Sequence, residues 1–205
     1  GVVIPGQPFV ISGHNDSIAW GLTNVMLDDM DFYKETIHPE DSDKYRLNGK
    51  WKNLKSETEQ IPLKKGDTAK RTIRYTHRGP IISKHKDIPD KTISMRWIGN
   101  EYSNELRSIY LLNHAANWKE FKDAVKTFIS VSQNIVYADV QGNIGLYCCA
   151  GIPIREGNGI SIYPGDTTKY DWKGFVPFDQ LPHTYNPESG FVASANNKTV
   201  DDDYP

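Results

Sequence analysis

Cysteine is nearly absent from this sequence: two residues among 205, Cys148 and Cys149. Because they adjoin, they cannot staple distant segments together, and the redox compartment is not readable from them. No apolar run approaches the roughly 20 residues that a membrane helix needs, so no membrane partner is expected. A surplus of one charge is missing too. The 24 basic and 26 acidic residues nearly cancel, leaving no global field to gather nucleic acid or anionic lipid. The chain opens on Gly1-Val2-Val3-Ile4-Pro5-Gly6, with no starting Met and no signal peptide. That opening reads as a cut end and leaves targeting undefined.

What remains is an ordinary globular composition: 38% apolar and 24% charged residues and a mean hydropathy of −0.59, which exclude a disordered chain. The length suffices to bury a core without staples. Aromatic residues make up 11%, and turn residues punctuate short segments of Ile, Val, Tyr and Phe, which favours a sheet-rich protein. Pro8–Ser12 and Ile18–Thr23 read as two strands of a hairpin joined by Gly13-His14-Asn15-Asp16. Phe32–Ile37 suits a further strand, Asn48-Gly49 marks a tight hairpin turn, and 54–63 and 71–76 alternate as strands about a turn at 64–67. The stretch 31–97 reads as a meander.

Helix signals gather in the middle. Ser103 or Asn104 caps a helix running from Glu105 to Leu112, and Asn117 caps a second whose Trp118, Phe121 and Val125 recur at helical spacing. Residues 134–140 and 144–149 then form a hairpin about Gln141-Gly142-Asn143. A loop-rich tail follows, with Phe191–Ala195 as a last strand.

Few residues declare chemistry on their own. The six histidines (14, 38, 77, 85, 114 and 183) are scattered and the cysteines lack paired spacing, which argues against a zinc site. His77, followed by Arg78-Gly79-Pro80, reads as a turn or strand-end residue. Neither a G-x-S-x-G elbow nor a P-loop occurs. Asp28-Asp29-Met30-Asp31 offers carboxylate and carbonyl oxygens of the hard kind that calcium takes, but it fails the EF-hand template, and judged alone it reads better as a solvated acidic turn. Asn196-Asn197 after an apolar segment is either a turn or a source of side-chain amide donors to an oxyanion.

Taken in order, Gly13–Asn24, Asp28–Asp31, Tyr137–Gly145, Asp171-Trp172-Lys173-Gly174, and Tyr185-Asn186-Pro187 through Asn196-Asn197 resemble the β-subunit of penicillin acylases almost end to end. The resemblance implies an α+β fold, part of the four-layer αββα sandwich of N-terminal nucleophile hydrolases, with a short helical middle section. The chain is then a partial β-subunit over 1–205 with an inserted β-rich region at about 31–97 and no separate second domain. It also implies a precursor that cleaves itself to expose a serine whose own amine is the base, so that amide hydrolysis proceeds through an acyl-enzyme.

Carried over residue by residue, Asn196 matches the side-chain donor of the oxyanion hole and Asn24 the position that gives a backbone N–H. Asp28, Met30 and Asp31 match calcium ligands, Met30 through its carbonyl, and Gly159 falls in a loop that supplies another. The serine nucleophile lies upstream of the Gly13-His14-Asn15 block in this family and Gly1 is not serine, so the nucleophile and the α-subunit are expected outside these residues and the polypeptide alone is expected to be inactive. A last calcium aspartate and an active-site arginine are expected beyond Pro205. Ser12 matches an aromatic and Gln133 an aliphatic position in the phenylacetyl-preferring branch. Both are polar here, which implies a different acyl pocket and a substrate other than penicillin G, acyl-homoserine lactones among the alternatives. The implied partners are a small acyl-amide substrate, the α-subunit and the rest of the β-subunit from one precursor, and the implied location is periplasmic or secreted. A non-enzymatic binding module with its Tyr and Trp side chains in an exposed row is the rival reading.

Overall fold

The computed structural model describes residues 1–83, 92–200 and 204; His85 lies outside them. Along the chain, β1 (Val2–Val3), β2 (Val10–His14) and β3 (Ile18–Asn24) come first. The turn between β2 and β3 is closed by Asn15, whose side-chain oxygen accepts from the N–H groups of Ser17 and Ile18. Then follow β4 (Met30–Glu35), the hairpin β5 (Lys44–Leu47) and β6 (Lys50–Asn53), the hairpin β7 (Lys55–Pro62) and β8 (Thr68–Tyr75), and β9 (Thr92–Trp97). Asn48 and Gly49 take φ of 48° and 76°, the left-handed pair that a two-residue hairpin turn requires.

Helices α1 (Glu105–His114) and α2 (Trp118–Val125) occupy the middle. Asn104, not Ser103, caps α1 by accepting from Arg107 N–H, and Asn117 caps α2 by accepting from Glu120 N–H. Glu120 reaches back to Ala116 N–H, so two orphan donors are satisfied reciprocally. β10 (Gln133–Asp139) and β11 (Ile144–Cys149) form the next hairpin, followed by the short β12 (Pro153–Ile154), β13 (Tyr163–Pro164), β14 (Gly174–Phe175) and β15 (His183–Tyr185).

Contacts divide the chain into two compact units. The first comprises 1–28, 101–153 and 175–205 and is built on a six-stranded sheet in the order β1-β2-β3-β10-β11-β15. Both helices lie on one face of it, burying Ile109, Leu112, Phe121 and Val125 against Ile18, Trp20, Ile135, Tyr137 and Tyr147. Gly145 makes the docking of α2 possible: a Cβ there would meet the Trp118 ring at 2.6 Å.

The second unit comprises 29–100 and 154–174, and the β-rich insert expected at about 31–97 falls within it. Its strands do not form the single meander that the sequence suggests. β4 pairs antiparallel with β9 and parallel with β13, while β5–β6 and β7–β8 are separate hairpins. The reason is burial: every second residue of β4, Asp31, Tyr33 and Glu35, is buried and the strand needs partners on both edges, whereas β7 is exposed almost throughout and pairs with its hairpin mate alone. The expected strand at 191–195 is also not one. Phe191 is exposed, and the segment is irregular because side-chain bonds rather than a ladder hold it.

Candidate functional site

In the first unit, β2 and β3 pair only at Gly13 with Trp20 and at His14 with Ala19. Beyond that point they separate, the Trp20 indole donating to the Ile11 carbonyl and the Ser12 hydroxyl to the Trp20 carbonyl. The far end of β3 is thereby open on one side. On the other it stays zipped to β10, with Asn24 opposite Gln133 and the Val25 N–H donating to the Ser132 carbonyl at 3.1 Å. Antiparallel alternation then turns the Asn24 N–H and C=O away from β10, towards the open edge.

Three of the residues singled out in the sequence meet there. Asn196 Nδ2 donates to the Asn24 carbonyl at 2.8 Å, and Gln133 Nε2 donates to Asn24 Oδ1 at 2.7 Å. Asn196 and Asn24 are both solvent-exposed, and Asn196 takes a φ of 59°, a conformation that asparagine tolerates better than most residues. Each asparagine amide carries two N–H groups; one Asn196 N–H is spent on Asn24.

Beside this cluster lies an apolar cavity of about 390 Å³ whose wall includes Gln133. Ile4, Ile11, Leu22, Leu106, Ile109 and Val131 supply aliphatic surface, and Phe128 is the lone aromatic in the wall. Ser12 does not line it. Glu105 does, yet its charge is compensated: Oε1 accepts from the N–H groups of Ile129 and Ser130, and Oε2 from the Ser103 hydroxyl. Burial works against its ionisation, but the Ser130 N–H, the Ser103 hydroxyl and the Ile129 N–H outweigh it and hold its pKa below the ordinary value.

Other chemically suggestive residues are inert here. Cys148 and Cys149 are free thiols in the interior; burial pushes Cys148 up to about 11 and Cys149 well above its ordinary value, so neither is a thiolate at neutral pH. Tyr33, Tyr45, Tyr137, Tyr147, Tyr163 and Trp20 are buried and spent on packing, whereas Trp51, Tyr102, Tyr110 and Tyr185 are exposed.

The second unit holds Met30, Asp31 and Gly159, whereas Asp28 is an exposed residue of the first. Asp31 is fully buried; its Oδ2 accepts from the Trp172 indole and lies 3.2 Å from Arg155 Nε. Gly159, at a φ of 71°, gives its N–H to the Tyr163 hydroxyl. Sequence reading missed the strongest feature of this unit, Arg78. Its side chain is 3% exposed and bonds Glu35 at 3.0 Å and Asp171 at 2.6 Å. It also donates to the carbonyls of Gly165 and Thr167 and lies over the Tyr33 ring at 4.3 Å. The neighbouring His77 bonds Asp171 and Tyr45. A cavity of about 190 Å³ is lined by Tyr33, His77, Arg78, Arg96, Asp171 and Trp172. No sequence signal distinguishes a buried arginine after a strand from an exposed one.

No helix of the described residues is long and apolar enough to cross a membrane. Among known proteins, the chain is 35% identical over 201 residues to a penicillin G acylase of Escherichia coli, covering 97% of this chain and 23% of that protein. It is 30% identical over 208 residues to an acyl-homoserine lactone acylase of Pseudomonas syringae, covering 100% of this chain and 25% of the other. The chain thus spans about a quarter of the length of these relatives. In three dimensions it is similar to a thermostable penicillin G acylase from Alcaligenes faecalis, with a TM-score of 0.85 at 31% identity over 98% of this chain and 36% of that one. This shared architecture is the sheet-rich N-terminal nucleophile hydrolase fold. The family model for penicillin amidase matches residues 1–205, and the chain belongs to the penicillin amidase family.

Proposed function

We propose that this chain supplies the oxyanion donors and the acyl pocket of an amidohydrolase that cleaves linear amide bonds of acylated amines. The observation that carries the reading is the 2.8 Å bond from Asn196 Nδ2 to the Asn24 carbonyl at the rim of an apolar cavity. It leaves the second Asn196 N–H, together with the outward-facing Asn24 N–H, as two donors at one strand end. Such preorganised donors stabilise the oxyanion of a tetrahedral intermediate without reorganising as the charge develops. The acyl chain would lie in the cavity and the scissile carbonyl at the asparagines. In this reading the acylating group is an N-terminal serine that these 205 residues do not contain, and the chain alone is inactive.

Among the described residues that line the cavity, Phe128 is the one aromatic, beside six aliphatic side chains and the polar Gln7, Glu105, Ser130 and Gln133, so the apolar part of the wall offers dispersion contact along a flexible chain and little ring stacking. Aliphatic acyl amides, acyl-homoserine lactones among them, fit it better than phenylacetyl amides such as penicillin G. The experiment is a panel of both classes on the full-length protein and its Asn196→Ala variant. The variant is expected to lose about 10²- to 10³-fold in kcat; an unchanged kcat would overturn the reading.

Calcium belongs to the proposal as a structural ion. In the second unit Met30, Asp31 and Gly159 carry carboxylate and peptide oxygens, the hard donors that calcium takes, and the cation would add cohesion rather than chemistry. Chelation is expected to lower the melting temperature of the full-length protein, read by calorimetry. A location outside the cytoplasm is likewise proposed, and cell fractionation tests it.

A further inference from the structure

The segment that carries Asn196 has no strand ladder to hold it, and its anchor is a small polar cluster on the sheet face opposite the helices. Ile135 and Tyr137 point into the helix-side core, so alternation turns Asn134 to the other face, where Thr23 stands directly opposite it across the β3–β10 pair. Ser194 lands on both. Asn134 Nδ2 donates to its hydroxyl at 3.0 Å, and the Thr23 and Ser194 hydroxyls are hydrogen-bonded to each other at 2.6 Å. Asn134 is fully buried, and its Oδ1 has no hydrogen-bond partner among the described residues. A core position that keeps a costly amide with half its capacity unused is held for something other than packing.

We propose that Ser194, clamped by Asn134 and Thr23, is the positioning residue that sets Asn196 in register with Asn24. The inference rests on the oxyanion reading above and deepens it. A single residue, Ala195, separates the clamp from the donor, a span of at most about 7 Å, so a slip at Ser194 reaches Asn196 almost undiminished. The exposed turn between them adds only the Ala195 N–H to Asn197 Oδ1 bond. Held at Ser194 and again at Asn24, the amide has one orientation. Released at Ser194, it keeps a single side-chain bond to direct it.

The test is steady-state kinetics of the full-length protein on an acyl-amide substrate that it hydrolyses. Ser194→Ala is expected to lower kcat by about 10- to 100-fold, the effect of a misplacement on the order of 1 Å, with KM within about twofold. Ser194→Thr, which keeps the hydroxyl, restores kcat, and Thr23→Val, which removes one partner at constant shape, gives a smaller loss of the same kind. The decisive comparison is the double variant. On an Asn196→Ala background, Ser194→Ala costs nothing further, because the positioned group is gone, whereas a general structural role would make the losses multiply. An unchanged kcat in Ser194→Ala, or multiplying losses, overturns the inference and leaves the oxyanion reading standing; an unchanged kcat in Asn196→Ala overturns both. If Ser194→Ala fails to fold, Thr23→Val on the two backgrounds decides in the same way.

Discussion

Asn24 and Asn196 stand 172 positions apart, and neither is distinguishable in isolation from a turn-forming asparagine. The role proposed for them rests on the ordered blocks around them, and their geometry on the sheet, which turns the Asn24 peptide outward. Gln133 shows the limit at this scale. Its polarity was readable, but its bond to Asn24 was not, because that depends on strand register. Glu105 makes a residue-level prediction. Its folded pKa is below the unfolded value of about 4.3, so it contributes stability that is present above that value and lost as pH falls through the folded pKa. Glu105→Gln is therefore expected to lower the urea midpoint at about pH 7, with the gap to the unsubstituted protein narrowing as pH falls through the folded pKa. A gap that widens in acid would contradict the assignment.

At the scale of elements, the caps, the hairpin turns and the paired strands β10 and β11 followed from local chemistry, because each is decided within a few residues. Two elements escaped. Residues 191–195 have strand composition, yet the anchoring of Ser194 by Thr23 and Asn134 takes the place of a ladder. The early parting of β2 from β3 depends on the Trp20 indole finding the Ile11 carbonyl, a contact that alternation cannot forecast. That parting opens the strand end on which the proposed donors sit. The adjoining cavity invites a test by filling: Val131 is 62% exposed and part of the wall, so Val131→Trp adds bulk with little effect on the core. We expect KM for long-chain acyl amides to rise by about tenfold, a loss on the scale of one or two methylenes of contact, with short-chain substrates unaffected. Equal effects on both would place the acyl chain elsewhere.

At the scale of the molecule, composition was enough for a sheet-rich globular chain, and the order of the motifs was enough for the family. The division into two compact units was not legible, because the second unit is assembled from 29–100 and 154–174 and no linker composition marks the joins. Its charged centre illustrates why. Burial pushes the Glu35 pKa up despite Ser94 and Arg78; at Asp171 burial acts in the same direction, but His77 and Arg78 outweigh it and draw the pKa down. The two carboxylates thus contribute opposite pH slopes around one guanidinium. Removing that guanidinium leaves buried charge behind, so Arg78→Met is expected to destabilise the unit by about 3–5 kcal/mol, read as a fall in the denaturant midpoint.

The same arginine also fixes an order of events. Its acceptors at Gly165, Thr167 and Asp171 lie 87 to 93 residues downstream of it. During synthesis, Arg78 leaves the ribosome with Glu35 already made and most of its other acceptors not yet translated. Closing this unit is then a late, long-range step, and until residue 171 emerges water must supply most of the acceptors of the Arg78 guanidinium.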